Sequence, residues 1–431
     1  MELSVLILVL SFVILLSLSV PIAISIGIAT VLTMLFTIDP GPAITTVAQQ
    51  MATGINSFAL LAIPFFILSG LLMGRGGIAR RLIDLAKVLV GMFPGGLAYV
   101  NILACMFFGA ISGSAVAATS AIGGFMIPIM RKEGYDSNFS TAVTVTGSTT
   151  GLLIPPSNVL IVYSLASGGV SIAALFIAGY LPGILVGLGL IAVAAVISVM
   201  KKYAVGERTG LVESLKRFLD AIPSLLLIVI VIGGIIAGIF TATEASAIAV
   251  IYSLGLSVFI YREVKIGELP DILLKTVETT AIVMILIGTS TAMSWILSYE
   301  NIPQTISATL IALTDSKIII LLIINMILLI VGTFMDMTPA VLIFTPIFLP
   351  VATQLGIDPI HFGIMMVLNL CIGLCTPPVG SVLFVGCSIA GTSITSLIKP
   401  LLPLYVAMIA ALMLVTYIPE ISLFLPRLFG Y

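Results

Sequence analysis

The chain has 431 residues, of which 60% are hydrophobic and 8% are charged, and its formal net charge is -1. Soluble domains carry about 25% charged residues, so a mean hydropathy of +1.31 excludes a soluble enzyme and indicates that lipid surrounds most of the chain. The nearly balanced charge gives no reason to expect a nucleic-acid partner.

The first apolar run extends over residues 4–36. At 1.5 Å per residue it would span about 48 Å, against a hydrocarbon core of about 30 Å. It must therefore tilt or break, and Pro21 is the predicted break. It is too long for a signal peptide, so it is interpreted as retained. Further apolar runs lie at 54–74, 88–130, 139–165, 172–200, 221–239, 241–261, 276–297, 318–354, 361–390 and 400–418.

Two of these runs, 88–130 and 318–354, are too long for one crossing and too short for three. Each has a polar tip near its middle, Ser-Gly-Ser at 112–114 and Asp-Met-Thr at 336–338. A polar tip between two apolar arms is typical of a re-entrant hairpin, which enters and leaves the membrane on one side. Such irregular backbone is tolerated only where protein or a water-filled cavity surrounds it.

The basic residues predict the topology. With nine crossings, two hairpins and a cytoplasmic N-terminus, the positive-inside rule is satisfied by 15 of the 17 Lys and Arg residues. Only Lys317 and Arg427 fall outside, and the C-terminus is predicted to be periplasmic. The first hairpin then opens from the cytoplasm and the second from the periplasm. The 15 cytoplasmic residues are Arg75, Arg80, Arg81, Lys87, Arg131, Lys132, Lys201, Lys202, Arg208, Lys216, Arg217, Arg262, Lys265, Lys275 and Lys399.

The polar tips and two Pro-Pro pairs recur at matched spacing. Ser112 precedes the pair at 155–156 by 43 residues, and Asp336 precedes the pair at 377–378 by 41. This predicts an all-α polytopic membrane protein with two inverted repeats, each containing a re-entrant hairpin and a broken helix, which is the pattern of transporters with a site at the repeat interface. The predicted units are a first repeat at 1–200 (broken helix about 139–165), a linker and connecting helix at 201–240, and a second repeat at 241–431 (broken helix about 361–390).

The Pro-Pro pairs predict ion sites. Two consecutive prolines lack backbone donors, so the carbonyls of residues 151–154 lose their helical partners. Unpaired carbonyls in lipid cost several kcal/mol each unless something binds them, and a hard cation prefers such oxygen ligands. The hydroxyls of Ser112 and Ser114 would complete a Na⁺ site, and the segment 373–380 repeats this logic with the second tip. The alternative is a simple helix kink.

Four polar residues have structural or functional interpretations, and those of Asp336 compete. Asp336 lies deep in an apolar run, where a charge costs about 2.5–3.5 kcal/mol on insertion scales, which favours an ion-linked role. It also stands where an acid would cap the second hairpin arm. Thr241 and Glu244 form a capping box, and His361 begins a helix on the outer side.

Four motifs occur in order along the chain: Ser-Gly-Ser-Ala-Val-Ala at 112–117, Ile-Pro-Pro-Ser at 154–157, Gly-Ile-Phe-Thr-Ala-Thr-Glu-Ala at 238–245 and Thr-Pro-Pro-Val-Gly at 376–380. Together they resemble the large (DctM-type) membrane subunit of tripartite ATP-independent periplasmic (TRAP) transporters, over essentially the whole chain. One departure is that the usual Thr-Pro-Thr-Glu reads Thr-Ala-Thr-Glu at 241–244, which leaves the cap intact.

The resemblance implies a Na⁺-coupled secondary importer of small organic acids in the bacterial inner membrane. It implies an elevator mechanism, in which a transport domain with both hairpins slides against a scaffold. It also implies a soluble periplasmic binding protein and a small four-helix membrane subunit, here a separate chain. The motif at 154–158 and the residues 162–164 resemble sialic-acid members more than C4-dicarboxylate members.

About two Na⁺ sites are implied by the same resemblance. The first uses Ser112, Ser114, Gly151, Ile154 and Pro156. The second uses Asp336, Thr338, Thr376 and Pro378. Their neighbours Ser157, Asn158 and Gly380 are expected to bind substrate or ion.

Two other functions fit the composition. A passive channel for small anions would conduct without a binding protein, but inverted broken repeats do not favour it. An intramembrane enzyme would need a nucleophile and a base within the spans, and no such pair stands out. No P-loop motif is present, so nucleotide hydrolysis by that route is excluded.

Overall fold

The computed structural model describes residues 2–205, 210–314 and 316–431, and these fold almost entirely into α-helices. Arg208, one of the basic residues predicted to lie in the cytoplasm, falls outside the described residues. Eight helical segments of the described chain are long and apolar enough to cross a membrane. The protein is therefore an all-α, multi-pass membrane protein.

The N-terminal region forms five helices, α1 Glu2–Ser17, α2 Ile22–Thr37, α3 Pro40–Ile55, α4 Ala62–Arg75 and α5 Ile78–Val90. The predicted break at Pro21 is confirmed, because Pro21 is the N-cap of α2. Residues 4–36 do not form one continuous helix, because α1 and α2 pack against each other on either side of this break. Each has 16 residues, about 24 Å, and is shorter than a typical membrane core.

The first hairpin and broken helix follow. They comprise α6 Gly96–Ser112, α7 Ala115–Lys132, α8 Ser137–Thr150, α9 Asn158–Ala166 and α10 Ile172–Lys201. The hairpin was expected to begin near residue 88, but residues 88–90 belong to α5. Gly95 separates the two helices with a φ of +77°, a conformation that glycine adopts without the cost of a Cβ clash.

The second half has ten helices. They are α11 Leu211–Ile236, α12 Ala242–Leu254, α13 Leu269–Tyr299, α14 Ile302–Leu313, α15 Lys317–Phe334, α16 Met337–Gln354, α17 Pro359–Leu374, α18 Ser381–Ala390, α19 Ile394–Tyr417 and α20 Glu420–Leu428. The predicted capping box is present at the start of α12. Glu244 accepts from the Thr241 backbone N–H at 2.8 Å, and the Thr241 hydroxyl oxygen accepts from the Glu244 N–H at 3.3 Å.

The helix order repeats along the chain. The starts of α6 to α10 precede the starts of α15 to α19 by 221–223 residues each. The correspondence extends to the preceding helices, since α1 and α2 pair in the same manner as α11 and α12. The predicted division into 1–200, 201–240 and 241–431 stays a prediction. The opposed orientation of the copies stays a prediction.

The two copies interlock. The short helix α9 packs on hairpin arm α16 of the other copy, and α18 packs on hairpin arm α7 in return. At the centre, residues 139–150 of α8 and 361–374 of α17 are all buried. The hairpins and broken helices of both copies thus share one core.

Candidate binding site at the hairpin tips

The first tip is a two-residue turn. Gly113 adopts a φ of +61°, and a Cβ there would lie 2.9 Å from Nδ2 of Asn158. Ser114 then caps α7 by accepting a hydrogen bond from the Ala117 N–H at 3.2 Å. The tip therefore presses directly against the start of α9, just beyond the Pro-Pro break.

The second tip differs in its chemistry. Asp336 occupies the N-cap position of α16, as expected, but its side chain makes no capping hydrogen bond. The side chain is exposed, whereas neighbouring Met335 and Met337 are buried. The side chain is therefore accessible to a ligand.

Close glycine contacts fix the first arm of each hairpin against the broken helix of the same copy. Gly109 on α6 meets Gly151, and Gly332 on α15 meets Gly373 on α17. A Cβ on Gly373 would lie 2.6 Å from the backbone of Gly332, so only glycine permits this approach. In each copy, this glycine contact between two backbones holds the hairpin beside the broken helix.

The Pro-Pro breaks leave backbone and hydroxyl oxygens without donors. Both breaks contain a cis Pro-Pro bond. At the first break, Ser157 is fully buried and its hydroxyl has no hydrogen-bond partner among the described residues. A buried hydroxyl without a partner is rare, and such a group is usually hydrogen-bonded to a ligand or an ordered water.

At the second break, carbonyls converge around Gly380. Its φ is +39°, and a Cβ there would lie 2.9 Å from the carbonyl oxygens of both Leu374 and Thr376. No donor among the described backbone groups reaches either oxygen, because Pro377 and Pro378 have no N–H. The two oxygens suit a hard cation.

A single cavity of about 280 Å³ joins the two tips. Four helices, α7, α9, α16 and α18, begin at its wall, and helices α4 and α13 close the other side. No Lys or Arg is among its described lining residues. Helix N-termini carry partial positive charge and free N–H groups, so this cavity suits an anion without a basic side chain.

The structure brings together five of the predicted residues. The cavity is lined by Ser112, Ser114, Asn158, Asp336 and Thr338.

The other predicted residues lie at or behind the breaks. The Ile154 side chain packs against Gly183 on α10. Thr376 donates its hydroxyl proton to the Ile372 carbonyl at 2.7 Å. Pro156 is buried and Pro378 is exposed. Whether these residues bind ions stays a prediction.

Two polar lining residues were missed from the sequence. Ser381 begins α18 as Asn158 begins α9, so the repeat itself could have revealed it. Thr279 comes from α13, and nothing in its local sequence links it to the tips. His361, expected at an outer helix start, begins α17 and is buried against Ser422 at 2.7 Å, away from this cavity.

Comparison with known proteins identifies the family. Residues 9–421 match the model of the DctM component of tripartite ATP-independent periplasmic transporters, so the chain belongs to this family. It is a multi-pass transport protein and not an enzyme, which confirms the resemblance carried by the four motifs.

The relatives differ in the substrates that their names give. The chain is 42% identical to the C4-dicarboxylate TRAP transporter large permease protein DctM of Pseudomonas aeruginosa, covering 92% of each chain. It is 40% identical to the sialic acid protein SiaM of Vibrio cholerae, covering 89% of this chain and 90% of that one. It is 44% identical to the isethionate permease DctMQ of Oleidesulfovibrio alaskensis, covering 88% of this chain and 60% of that one.

A solved structure shares the fold. The YdaH transporter of Alcanivorax borkumensis matches with a TM-score of 0.62 over 86% of this chain and 87% of that one. Its sequence identity of 14% supports the architecture alone.

Proposed function

We propose that this chain is the large subunit of a Na⁺-coupled importer of small organic acids. The observation that carries the proposal is the cavity between the tips, where four helix N-termini and the carboxylate of Asp336 meet. The helix ends attract an organic anion, and the carboxylate attracts a cation.

These two charges account for coupling. An organic anion 4 Å from an ionised Asp336 would be repelled by about 4 kcal/mol at an effective dielectric constant of 20. A Na⁺ ion at Asp336 removes that repulsion, so ion binding precedes tight substrate binding. Each Na⁺ that moves inward through -100 mV then supplies about 2.3 kcal/mol.

The packing supports an elevator motion. We assign α6–α10 and α15–α20, which interlock through α9 and α18, to the transport domain, and α1–α5 and α11–α14 to the scaffold. The scaffold side of the cavity is mostly apolar, with Ile63, Ile67 and Val283. An apolar wall makes few specific contacts that would resist sliding.

The substrate class is an organic acid of the sialic-acid or C4-dicarboxylate kind. The chain is 40–44% identical to permeases named for three different acids, so sequence identity does not distinguish among these substrates. The partners are a periplasmic binding protein, which delivers the acid, and a separate small four-helix membrane subunit.

Uptake into liposomes tests the proposal. The chain is reconstituted with its small subunit and cognate binding protein and given labelled C4-dicarboxylates, sialic acid and isethionate in turn. We expect accumulation of one class only, and only with an inward Na⁺ gradient. Equal uptake without Na⁺, or ion conductance without the binding protein, would contradict the proposal and favour a passive anion channel.

A further inference from the structure

A second polar cavity lies at the opposite end of the hairpin α15–α16 from its tip. It has a volume of about 330 Å³ and is enclosed by the start of α15, the α16–α17 connection, the start of α17, the end of α19 and helix α20. It shares no lining residue with the cavity at the tips, so it is a separate feature of the molecule.

The basic residues of this cavity come from distant parts of the chain. Lys317 and Arg427 are the two basic residues that the predicted topology leaves outside, and both line its wall. His361, the single histidine of the sequence, lines it as well. The fold thus gathers all three at one place on the predicted outer face.

The cavity also has acidic groups. Arg427 Nη1 lies 2.6 Å from Glu420 Oε1, and Asp358 Oδ1 accepts from the Ile360 N–H at 2.7 Å. Lys317 differs from Arg427, because no carboxylate of a described residue lies within ion-pair distance of its amine. It stands at the first position of α15, where the helix end already carries positive charge.

Both ring nitrogens of His361 have hydrogen-bond partners within the protein. Its Nδ1 lies 2.7 Å from the Ser422 hydroxyl, and its Nε2 lies 3.3 Å from the Thr416 carbonyl oxygen. The groups that remain to meet a ligand are the Lys317 amine beside the α15 N–H groups, the Arg427–Glu420 pair and the second oxygen of Asp358.

The rim of the cavity is apolar and exposed. Ile318 on α15 is 62% exposed, and Phe424 and Leu428 on α20 are 54% and 66% exposed. A charged pocket between exposed apolar side chains, at the ends of apolar helices, matches an amphiphile whose head group enters the pocket and whose chains lie along the rim.

We propose that this cavity is a head-group site for a zwitterionic aminophospholipid. The phosphate is held by Lys317, Arg427 and the N-terminus of α15, because charge-assisted hydrogen bonds and a helix N-terminus both favour phosphate. The amine faces Asp358 and Glu420. The site goes beyond the proposed transport function, since it needs neither Na⁺ nor the acid substrate.

Binding of defined lipids to the delipidated full chain with its small subunit tests the site. Native mass spectrometry compares phosphatidylethanolamine, phosphatidylglycerol and inorganic phosphate. We expect one saturable phosphatidylethanolamine site, about tenfold weaker in Lys317→Gln, because the variant loses a charge-assisted hydrogen bond to the phosphate. Lys399→Gln, a matched loss of a lysine on α19 at the other end, should bind as the unaltered protein does.

A second variant separates the two halves of the head group. Asp358→Asn keeps a good helix cap and should weaken phosphatidylethanolamine while improving phosphatidylglycerol. Equal affinity for both lipids in the unaltered protein, competition by inorganic phosphate alone, or no effect of Lys317→Gln and Arg427→Gln would overturn the proposal. The proposal would also be overturned if these variants no longer bound the periplasmic binding protein but still bound the lipid, because the cavity would then be a protein-docking surface.

Discussion

Gly109 and Gly151 meet backbone to backbone: a Cβ on Gly151 would lie 2.6 Å from the Gly109 Cα and 3.0 Å from the Cys105 carbonyl oxygen. The contact joins the first arm of the first hairpin to the residue where α8 ends. Because Gly332 and Gly373 make the same contact in the second copy, the spacing between tip and break is fixed by two backbone contacts.

Gly151→Ala should therefore destabilise the protein and reduce uptake. Forcing a methyl group into backbone contact costs about 1–3 kcal/mol through shifts of the surrounding structure, and here it would displace the tip from the break. Thermal unfolding in detergent and uptake in liposomes measure the two effects. Gly124→Ala on α7 is the matched control, because a Cβ there meets nothing within 4 Å. Equal melting temperatures for both variants would contradict this role of the contact.

Asn325 and Asn369 form the buried polar link between α15 and α17. Asn369 Nδ2 donates to Asn325 Oδ1 at 2.8 Å, and Asn325 Nδ2 donates to the Thr416 hydroxyl at 3.1 Å. Asn325→Leu leaves the Asn369 amide without its side-chain partner, at a cost of about 1–3 kcal/mol.

The double variant supplies the control for this link. In Asn325→Leu the Asn369 Nδ2 keeps only the backbone carbonyl of residue 325, to which it already donates at 2.9 Å. Replacing both asparagines by leucine removes this partly satisfied amide, so Asn325→Leu/Asn369→Leu should recover part of the lost melting temperature. If the double variant loses more stability than the two single variants added together, the shape of the side chains, and not the hydrogen bond, determines the cost.

Ser157→Ala should have opposite effects with and without Na⁺. Without Na⁺ the variant should be as stable as the unaltered protein or more so, because a buried hydroxyl without a partner costs about 1–3 kcal/mol. With Na⁺ it should gain less stability, since binding stabilises the folded state in proportion to affinity. Thermal shift across a Na⁺ titration measures both.

Ser290→Ala on α13 is the matched control, since its hydroxyl is also buried without a partner among the described residues, but α13 contains no Pro-Pro break. It should leave the Na⁺-dependent shift unchanged. An identical shift in Ser157→Ala and the unaltered protein would exclude the Ser157 hydroxyl as an ion ligand.

The features that the sequence reveals are those with a local cause. Proline pairs break helices wherever they occur, and a polar tip interrupts an apolar run, so both hairpins and both broken helices were predictable. The pairing of α1 with α2 was not, because a run of 16 plus 16 apolar residues has the composition of one long span.

Features that depend on long-range packing were missed. Helix α3 has a mixed composition and lies almost entirely between the predicted apolar runs; it packs on α13, more than 200 residues away. The same holds for Thr279 and for the second polar cavity, whose walls come from five separate elements. Only the folded chain places such residues together.

In the proposed mechanism Asp336 couples Na⁺ to the acid substrate, and the Na⁺ dependence of uptake by Asp336→Asn is the decisive measurement. Asp39→Asn is the matched control, because Asp39 is also an N-cap without a capping side-chain bond and lies outside the cavity. We predict that Asp336→Asn loses Na⁺-stimulated uptake, by about tenfold or more if the ion contributes at least 1.4 kcal/mol to substrate binding, while Asp39→Asn keeps it. A normal Na⁺ titration curve in Asp336→Asn would contradict the account.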